Sequence, residues 1–252
     1  MPVTGREMPD PDAAIPPLDE EARRTVAATS ARRAALELEG AAAFASVTQA
    51  LIDNRADVRI VDLSARAVAE EIRHSELYLE LARAYGDDGD ARHRASPIEI
   101  PNYPGTSPHH ERILRVVGMC SINETMACSF LELSLSGTTA PFVRGAIREI
   151  LEDEIRHARI GWAYLGSSDI GDAERHLVSV WLLPMLRAQW THWRRQIATL
   201  PALDLAAYGC PSPSAIELAS LASMRDLVLP GFARAGVAVS EAQRWLDEGA
   251  PS

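Results

Sequence analysis

The tetrapeptide Glu-Ile-Arg-His occurs twice in the chain, as Glu71–His74 and as Glu154–His157. In an α-helix, residues three positions apart lie on one face, about one turn from each other. A carboxylate and an imidazole placed in this way can bind the same metal ion. A single copy is most often a solvent-exposed pair, but two identical copies within long helical patterns favour metal binding.

Two further carboxylates precede the motifs, each by about the length of one helix. Glu124 stands among apolar residues upstream of the second motif, while Glu37 and Glu39 stand upstream of the first. Glu37 shares a helix face with Ala41 and Phe44. Glu39 points to a different side of the same helix. We therefore predict Glu37 and Glu124 as ligands and keep Glu39 as the alternative to Glu37.

Four helices are needed to bring these side chains together, and the sequence predicts four. Ala, Leu, Arg and Glu dominate the chain and β-branched runs are scarce, which favours helix. The predicted helices span, in chain order, about 18–52, 58–85, 108–135 and 141–165. Short turns join the first to the second and the third to the fourth, so each pair must run antiparallel. The segment 96–105 between the two pairs contains three prolines and cannot be helical.

This order of elements predicts an all-α fold, a ferritin-like four-helix bundle of two antiparallel hairpins with one long crossover. Further helices are predicted near 171–199, 213–235 and 240–248. The predicted organisation is a disordered N-terminal tail over 1–18, the bundle over 19–166, and a C-terminal helical extension packed on the bundle over 167–252. The extension either covers the bundle or forms a dimer face, so we expect a monomer or a homodimer.

The six predicted ligands resemble the ligand set of ferritin-like di-iron carboxylate proteins. The stretches Glu37–Phe44 and Asp153–Arg159 look like those of uncharacterised bacterial ferritin-like domain proteins. The resemblance covers roughly residues 30–235 and implies two bound iron ions. It implies the following roles: Glu71 and Glu154 bridge the two ions, Glu37 and Glu124 are terminal ligands, and His74 and His157 each bind one ion. Oxygen and nitrogen donors of this kind suit iron, manganese or a mixed pair rather than soft metals.

The resemblance further implies a non-haem di-iron oxidase or oxygenase, such as a monooxygenase, that activates dioxygen to oxidise a small organic substrate. The sequence identifies neither that substrate nor the electron donor. The related 4-aminobenzoate N-oxygenases carry an additional histidine where this chain has Ile150, so N-oxygenation is not favoured. The alternatives are a ferroxidase, iron-handling or peroxide-detoxifying protein, and a non-catalytic helical interaction protein.

An acid directly precedes the glutamate of each motif, Glu70 in the first and Asp153 in the second. Each could accept a hydrogen bond from a ring N–H of a ligand histidine and fix its tautomer. The alternative is that both acids face solvent. Arg73 and Arg156, inside the motifs, are expected to pair with acids at the rim of the bundle.

Three other residues near the motifs could shape a pocket. Tyr78 lies one turn after the first motif, where it either lines the oxygen-binding side or packs in the core with its hydroxyl hydrogen-bonded. Cys128 lies one turn after Glu124, and a thiol of this kind commonly just fills space. Gly161 lies one turn after the second motif, where it either leaves room for a substrate or lets two helices approach closely.

Composition and charge exclude several other functions. The net charge of −10 argues against a duplex nucleic-acid binder, which normally presents a basic face. The three cysteines lack C-x-x-C spacing and indicate a reducing compartment without disulfides. We find neither a signal peptide nor an apolar stretch of membrane-spanning length. The sequence therefore predicts a cytoplasmic protein with no nucleic-acid or membrane partner.

Overall fold

The computed structural model describes residues 17–87, 95–203 and 205–250. Apart from its last two residues, the tail predicted over 1–18 lies outside this part of the chain. All regular elements of the described part are helical, and one isolated β-bridge joins Leu205 and Cys210. The all-α prediction is confirmed.

Helices α1 (Glu20–Asp53) and α2 (Val58–Ala84) form a hairpin. An aspartate caps each N-terminus: Asp19 accepts a hydrogen bond from the Ala22 amide, and Asp57 accepts one from the Arg59 amide. The turn between the helices needs one residue in the left-handed region, Arg55, with φ of 58°. The short turn sets the two helices antiparallel, as predicted from the spacing.

The third long helix is not uniform. It begins as α3 (Pro108–Val116), continues as a π-helical segment (Val117–Asn123) and ends as α4 (Glu124–Gly137). We expected one regular α-helix here. The wider π turns, which lie directly before Glu124, are a feature often found at functional sites.

The fourth helix, α5 (Pro141–Leu165), has the bounds predicted for it. It approaches the third helix closely at Gly161, where an added Cβ would collide with the backbone of Ser121 and Cys120. Of the two expectations for Gly161, close helix packing is the correct one.

These helices form a ring in which each contacts two others: α1 with α2, α2 with α5, α5 with the π segment and α4, and α3 with α1. All neighbours run antiparallel. Hydrogen bonds between the two hairpins show these directions. Between α3 and α1 they are Arg115–Ser46 and His109–Asn54. Between α2 and α5 they are Arg73–Glu149 and Arg156–Glu70. The result is a helical bundle with residues from all four sides facing one interior.

The C-terminal part covers the second hairpin. Its elements are α6 (Asp172–Ile197), a 3₁₀ turn (Ala206–Tyr208), α7 (Pro213–Ser223), a second π segment (Met224–Val228), α8 (Leu229–Arg234) and α9 (Ser240–Asp247). Helix α6 packs on α3 and the first π segment, α7 on α4, and α9 on α6. The single helix predicted over 213–235 is thus interrupted by π turns.

The buried apolar residues form two clusters separated along the bundle axis. On α1 one cluster ends at Ala34 and the other begins at Phe44. On α2 the corresponding limits are Leu77 and Ala67. The residues between these limits include the predicted ligands, so a polar layer divides the core. None of the helices in the described part of the chain has the length and apolar composition needed to cross a bilayer.

Candidate metal centre

The structure brings all six predicted ligands together in the polar layer. We call this set the acid–histidine cluster: Glu37 from α1, Glu71 and His74 from α2, Glu124 at the start of α4, and Glu154 and His157 from α5. Five of the six are buried, and the side chain of Glu37 is 18% exposed. Because ordinary cores exclude unpaired carboxylates, four of them in one buried layer need protons or cations as partners.

The cluster consists of two overlapping groups, each with its ligand atoms within 4.8 Å of one another. The first group is Glu37, Glu71, His74 and Glu154, and the second is Glu71, Glu124, Glu154 and His157. Glu71 and Glu154 belong to both, and we call them the shared carboxylates. Each group could hold one metal ion, so the cluster has the ligands for a pair.

Each shared carboxylate presents one oxygen to each histidine. Glu71 Oε2 lies 3.6 Å from His74 Nδ1, and Glu71 Oε1 lies 3.2 Å from His157 Nδ1. Glu154 Oε1 lies 3.4 Å from His74 Nδ1, and Glu154 Oε2 lies 3.2 Å from His157 Nδ1. Two carboxylates that each face two separate nitrogen donors have the arrangement required to bridge two ions.

The His74 ring provides a direct test of whether a metal ion fits. Its Nδ1 is buried and has no hydrogen-bond partner among the described residues, although three carboxylates surround it. Leaving such an atom unsatisfied is costly in a buried site. A divalent cation facing Nδ1 would satisfy it together with the surrounding oxygens, so the residues present fit a metal ion.

The outer nitrogens of the two histidines contact the acids Glu70 and Asp153, which we call the outer acids. His74 Nε2 lies 3.2 Å from Asp153 Oδ2, and His157 Nε2 lies 2.9 Å from Glu70 Oε2. Each acid thus contacts the histidine of the other motif, because antiparallel packing of α2 and α5 places the two motifs opposite each other. A proton on Nε2 donated to the acid leaves Nδ1 free to bind metal.

Arg156 connects the two outer acids. Its Nη2 lies 3.1 Å from Glu70 Oε1 and also contacts Asp153 Oδ1. Its side chain is 41% exposed, in keeping with the predicted rim position. Arg73 also pairs with acids as predicted, namely Glu149 and Glu76. Its expected rim position was wrong, because its side chain is 0% exposed and lies in the α2–α5 contact.

Helix α1 shapes the cluster through a glycine. A Cβ at Gly40 would lie 2.9 Å from Glu71 Oε2, so the missing side chain gives this carboxylate its space.

The structure also distinguishes the two α1 glutamates: Glu37 Oε2 lies 3.7 Å from His74 Nδ1. Glu39, by contrast, accepts a hydrogen bond from the Ser96 amide in the crossover. The geometry therefore favours Glu37.

Glu124 is held by residues that sequence reasoning missed. Asn123 Nδ2 donates to Glu124 Oε1 at 3.2 Å, and Trp193 Nε1 on α6 donates to Asn123 Oδ1 at 3.2 Å. Asn123 is adjacent to a predicted ligand and could have been considered on that ground. The role of Trp193 depends on tertiary packing and has no signal in the sequence.

Without metal, the pKa values of two glutamates of the cluster, Glu37 and Glu124, are raised. Burial raises the pKa of Glu37 to about 8. Burial, together with the nearby charge of Glu154, raises the pKa of Glu124 well above its usual range. These two carboxyls therefore favour their protonated forms, which lowers the negative charge in the buried layer.

The shared carboxylates and the histidines shift the other way. Burial alone would raise the pKa of Glu71 and Glu154, but the neighbouring imidazoles outweigh it and lower both values. Burial would lower the pKa of His74 and His157, but the carboxylates outweigh it and raise both values. The metal-free cluster thus holds protons that a bound metal must displace.

Tyr78 is buried beside the cluster, and burial raises the pKa of its phenol far above the usual range. The guanidinium of Arg33 lies 5.7 Å from its ring centre. Tyr78 packs in the same apolar cluster as Ile150. Tyr78 therefore packs in the core, and it does so beside the cluster.

A cavity of about 520 Å³ lies between α4, α5 and the segment from the second π turn to α8, and we call it the side cavity. Cys128, which is half-buried, lines it one turn after Glu124. Ile155 and Ala158 also line it, and each directly follows a cluster residue on α5. The wall of the side cavity is therefore formed by the same helical turns that carry the cluster.

Comparison with known proteins assigns no family to this chain. It matches no protein-family model, and no curated protein matches it significantly. The functional argument therefore rests on the geometry of the acid–histidine cluster and on its surroundings.

Proposed function

We propose that this chain is a non-haem di-iron oxidase or oxygenase with a ferritin-like fold. The observation that carries the proposal is that each shared carboxylate faces both histidines. In iron-binding helical bundles, one glutamate from each of two helices and a Glu-x-x-His motif from each of the other two form the site. The order of the helices, their antiparallel neighbours and the single long crossover agree with such a bundle.

The ligand roles follow from the two groups. Glu37 and His74 would hold one ion, Glu124 and His157 the other, and the shared carboxylates both. Bound iron would supply the electrons that activate dioxygen for oxidation of a small organic molecule. The same oxygen and nitrogen donors suit manganese or a mixed pair.

The surrounding residues keep the ligands in position. The outer acids hold a proton on Nε2 of each histidine, which directs the Nδ1 lone pair into the cluster. Arg156 restrains both acids at once and compensates their charge. The apolar clusters on either side of the polar layer exclude water from it, which strengthens electrostatic interactions inside.

The side cavity favours oxidation of an organic molecule over iron handling. Iron storage or ferroxidase activity requires access for ions alone. A cavity of about 520 Å³ lies within the roughly 300–1,000 Å³ typical of small-molecule sites. Its lining includes Thr125, Ile155 and Ala158, which directly follow Glu124, Glu154 and His157 in the chain, so it lies on the helices that carry the cluster.

Oxygen uptake by iron-loaded protein tests the proposal. Protein loaded with ferrous iron under anaerobic conditions is mixed with oxygenated buffer, and oxygen consumption is followed with an electrode. We expect uptake by the native chain and by the control Glu152→Ala/His176→Ala, which removes an exposed acid and an exposed histidine. For Glu154→Ala/His157→Ala we expect no uptake beyond that of the same amount of ferrous iron without protein. Uptake by that variant at the native rate would refute the proposal.

A further inference from the structure

The interior of the side cavity is mainly apolar. One wall is the α5 stripe Ile155, Ala158 and Trp162. Leu227 and Gly231 form the opposite wall, and an added Cβ at Gly231 would collide with the Trp162 indole. The absent side chain lets Gly231 pack directly on the indole, and Trp162 contributes an aromatic group to the lining.

The lining of the cavity also carries an excess of positive charge. Arg159 and Arg234 line it from α5 and α8, and both are exposed. In the part of the chain that the structure describes, neither has an ion-pair partner. Glu132, also exposed, is the single acid among the lining residues. Two guanidinium groups against one carboxylate match a ligand with one negative charge.

Cys128 connects the cavity with the cluster. It lines the cavity and lies one turn after Glu124 on α4. Burial raises the pKa of Cys128 far above its usual range, so the thiol is neutral and forms part of the apolar wall. A ligand body in the cavity would therefore lie against a neutral side chain one turn from Glu124.

We propose that the side cavity binds an organic monoanion with an apolar, preferably aromatic, body. Its anionic group pairs with Arg159 and Arg234, and its body packs on Trp162 and Cys128. The claim that this anion is the substrate of the oxidation rests on the proposed function. The claim that the cavity binds such an anion rests on the cavity alone and can be tested without metal.

Two matched fluorescent probes test the site. Anilinonaphthalene sulfonate carries one negative charge, and N-phenylnaphthylamine has the same ring system without it. We expect the sulfonate to saturate at one per chain and to bind about tenfold more tightly than the neutral amine, because a charge-assisted contact contributes roughly that factor. Equal affinities for the two probes would overturn the proposal.

Variants locate the contact. The change Arg159→Gln/Arg234→Gln should weaken sulfonate binding about tenfold and alter binding of the neutral amine less than about twofold. Arg225→Gln is the matched control, because Arg225 is exposed on the second π segment and does not line the cavity. Unchanged sulfonate affinity in the double variant, or an equal loss in the control, would overturn the proposal.

A second variant places a negative charge in the lining of the cavity. Ile155 is 39% exposed and lines it, so Ile155→Glu adds a negative charge without disturbing the core. Sulfonate binding should fall more than binding of the neutral amine, and equal losses would contradict the proposal. All titrations are run on metal-free and metal-loaded protein. Metal binding without sulfonate binding refutes the cavity proposal alone, and sulfonate binding without metal binding refutes the proposed function alone.

Discussion

At the scale of single residues, the cluster depends on side chains that contact the ligands from outside. The outer acids contact Nε2 of both histidines, and each contacts the histidine of the opposite motif. This exchange of partners follows from the antiparallel packing of α2 and α5. It could not be predicted from positions along a single helix.

We expect Asp153→Asn to weaken metal binding about 10- to 100-fold, the range typical for residues that orient a ligand histidine. The amide keeps the shape but removes the negative charge facing His74 Nε2. Competition with a metal-binding dye measures the affinity. The control Glu152→Gln changes an exposed neighbour and should leave the affinity unchanged. Equal affinity of Asp153→Asn and native protein would contradict the role assigned to this acid.

Metal affinity should decrease as the pH falls. The pKa of Glu37 is raised to about 8, and those of Glu124 and both histidines are raised too, so protons occupy these groups below their pKa values. Protons and metal compete, which means that affinity falls as the pH drops through 8 and binding releases protons. Titrations between about pH 6 and 9 measure this trend. A constant affinity over that range would contradict the assignment.

The residue types and spacing were enough to predict all six members of the cluster and to prefer Glu37 over Glu39. They did not predict the burial of Arg73 or the support of Glu124 by Asn123 and Trp193. The cluster residues lie on helices, where the spacing of residues determines which of them share a face. The environments of Arg73, Asn123 and Trp193 depend on which helices pack against each other.

At the scale of elements, the helix bounds were predictable because turn and cap residues mark them. Asp57 begins α2 and Pro141 begins α5 at the predicted positions. The π segments were not predictable, because a change from i+4 to i+5 hydrogen bonding leaves no clear mark in the sequence.

Gly40 links the stability of α1 to the geometry of the cluster. Gly40→Ala should leave the metal-free protein as stable as before or more stable by up to about 1 kcal/mol, because alanine favours helix. Its Cβ would displace only the flexible end of Glu71, but that displacement should weaken metal binding. Urea unfolding and metal titration measure the two effects.

The matched control for this change is Ala42→Gly, at an exposed position on the same helix. It should lower the stability of the metal-free protein by about 1 kcal/mol and leave metal affinity unchanged. If Gly40→Ala alone weakens metal binding while the two variants change stability in opposite directions, the loss of affinity comes from the space needed by Glu71 and not from helix propensity. Weaker metal binding in Ala42→Gly as well would argue against that explanation.

At the scale of the whole molecule, the cluster lies between two apolar clusters and takes ligands from all four bundle helices. A metal pair would therefore hold the two hairpins together. Saturation at about 100 times the dissociation constant adds about 2.7 kcal/mol per site to stability. For a chain of this size, two occupied sites together raise Tm by about 10–20 °C.

Thermal unfolding with and without ferrous iron measures this effect. Glu154→Ala/His157→Ala should show no rise on adding metal, whereas the control Glu152→Ala/His176→Ala should show the native rise. An equal rise in both variants would mean that metal stabilises the fold at some other place.

The central claim is that two metal ions share Glu71 and Glu154, and metal stoichiometry in single variants tests it most directly. Native protein should bind two ions per chain in equilibrium dialysis. Glu37→Gln, at one end of the cluster, should lower the affinity for one ion only. Glu71→Gln should lower the affinity for both ions. One ion per native chain, or a Glu71→Gln variant that keeps one ion at native affinity, would contradict the account.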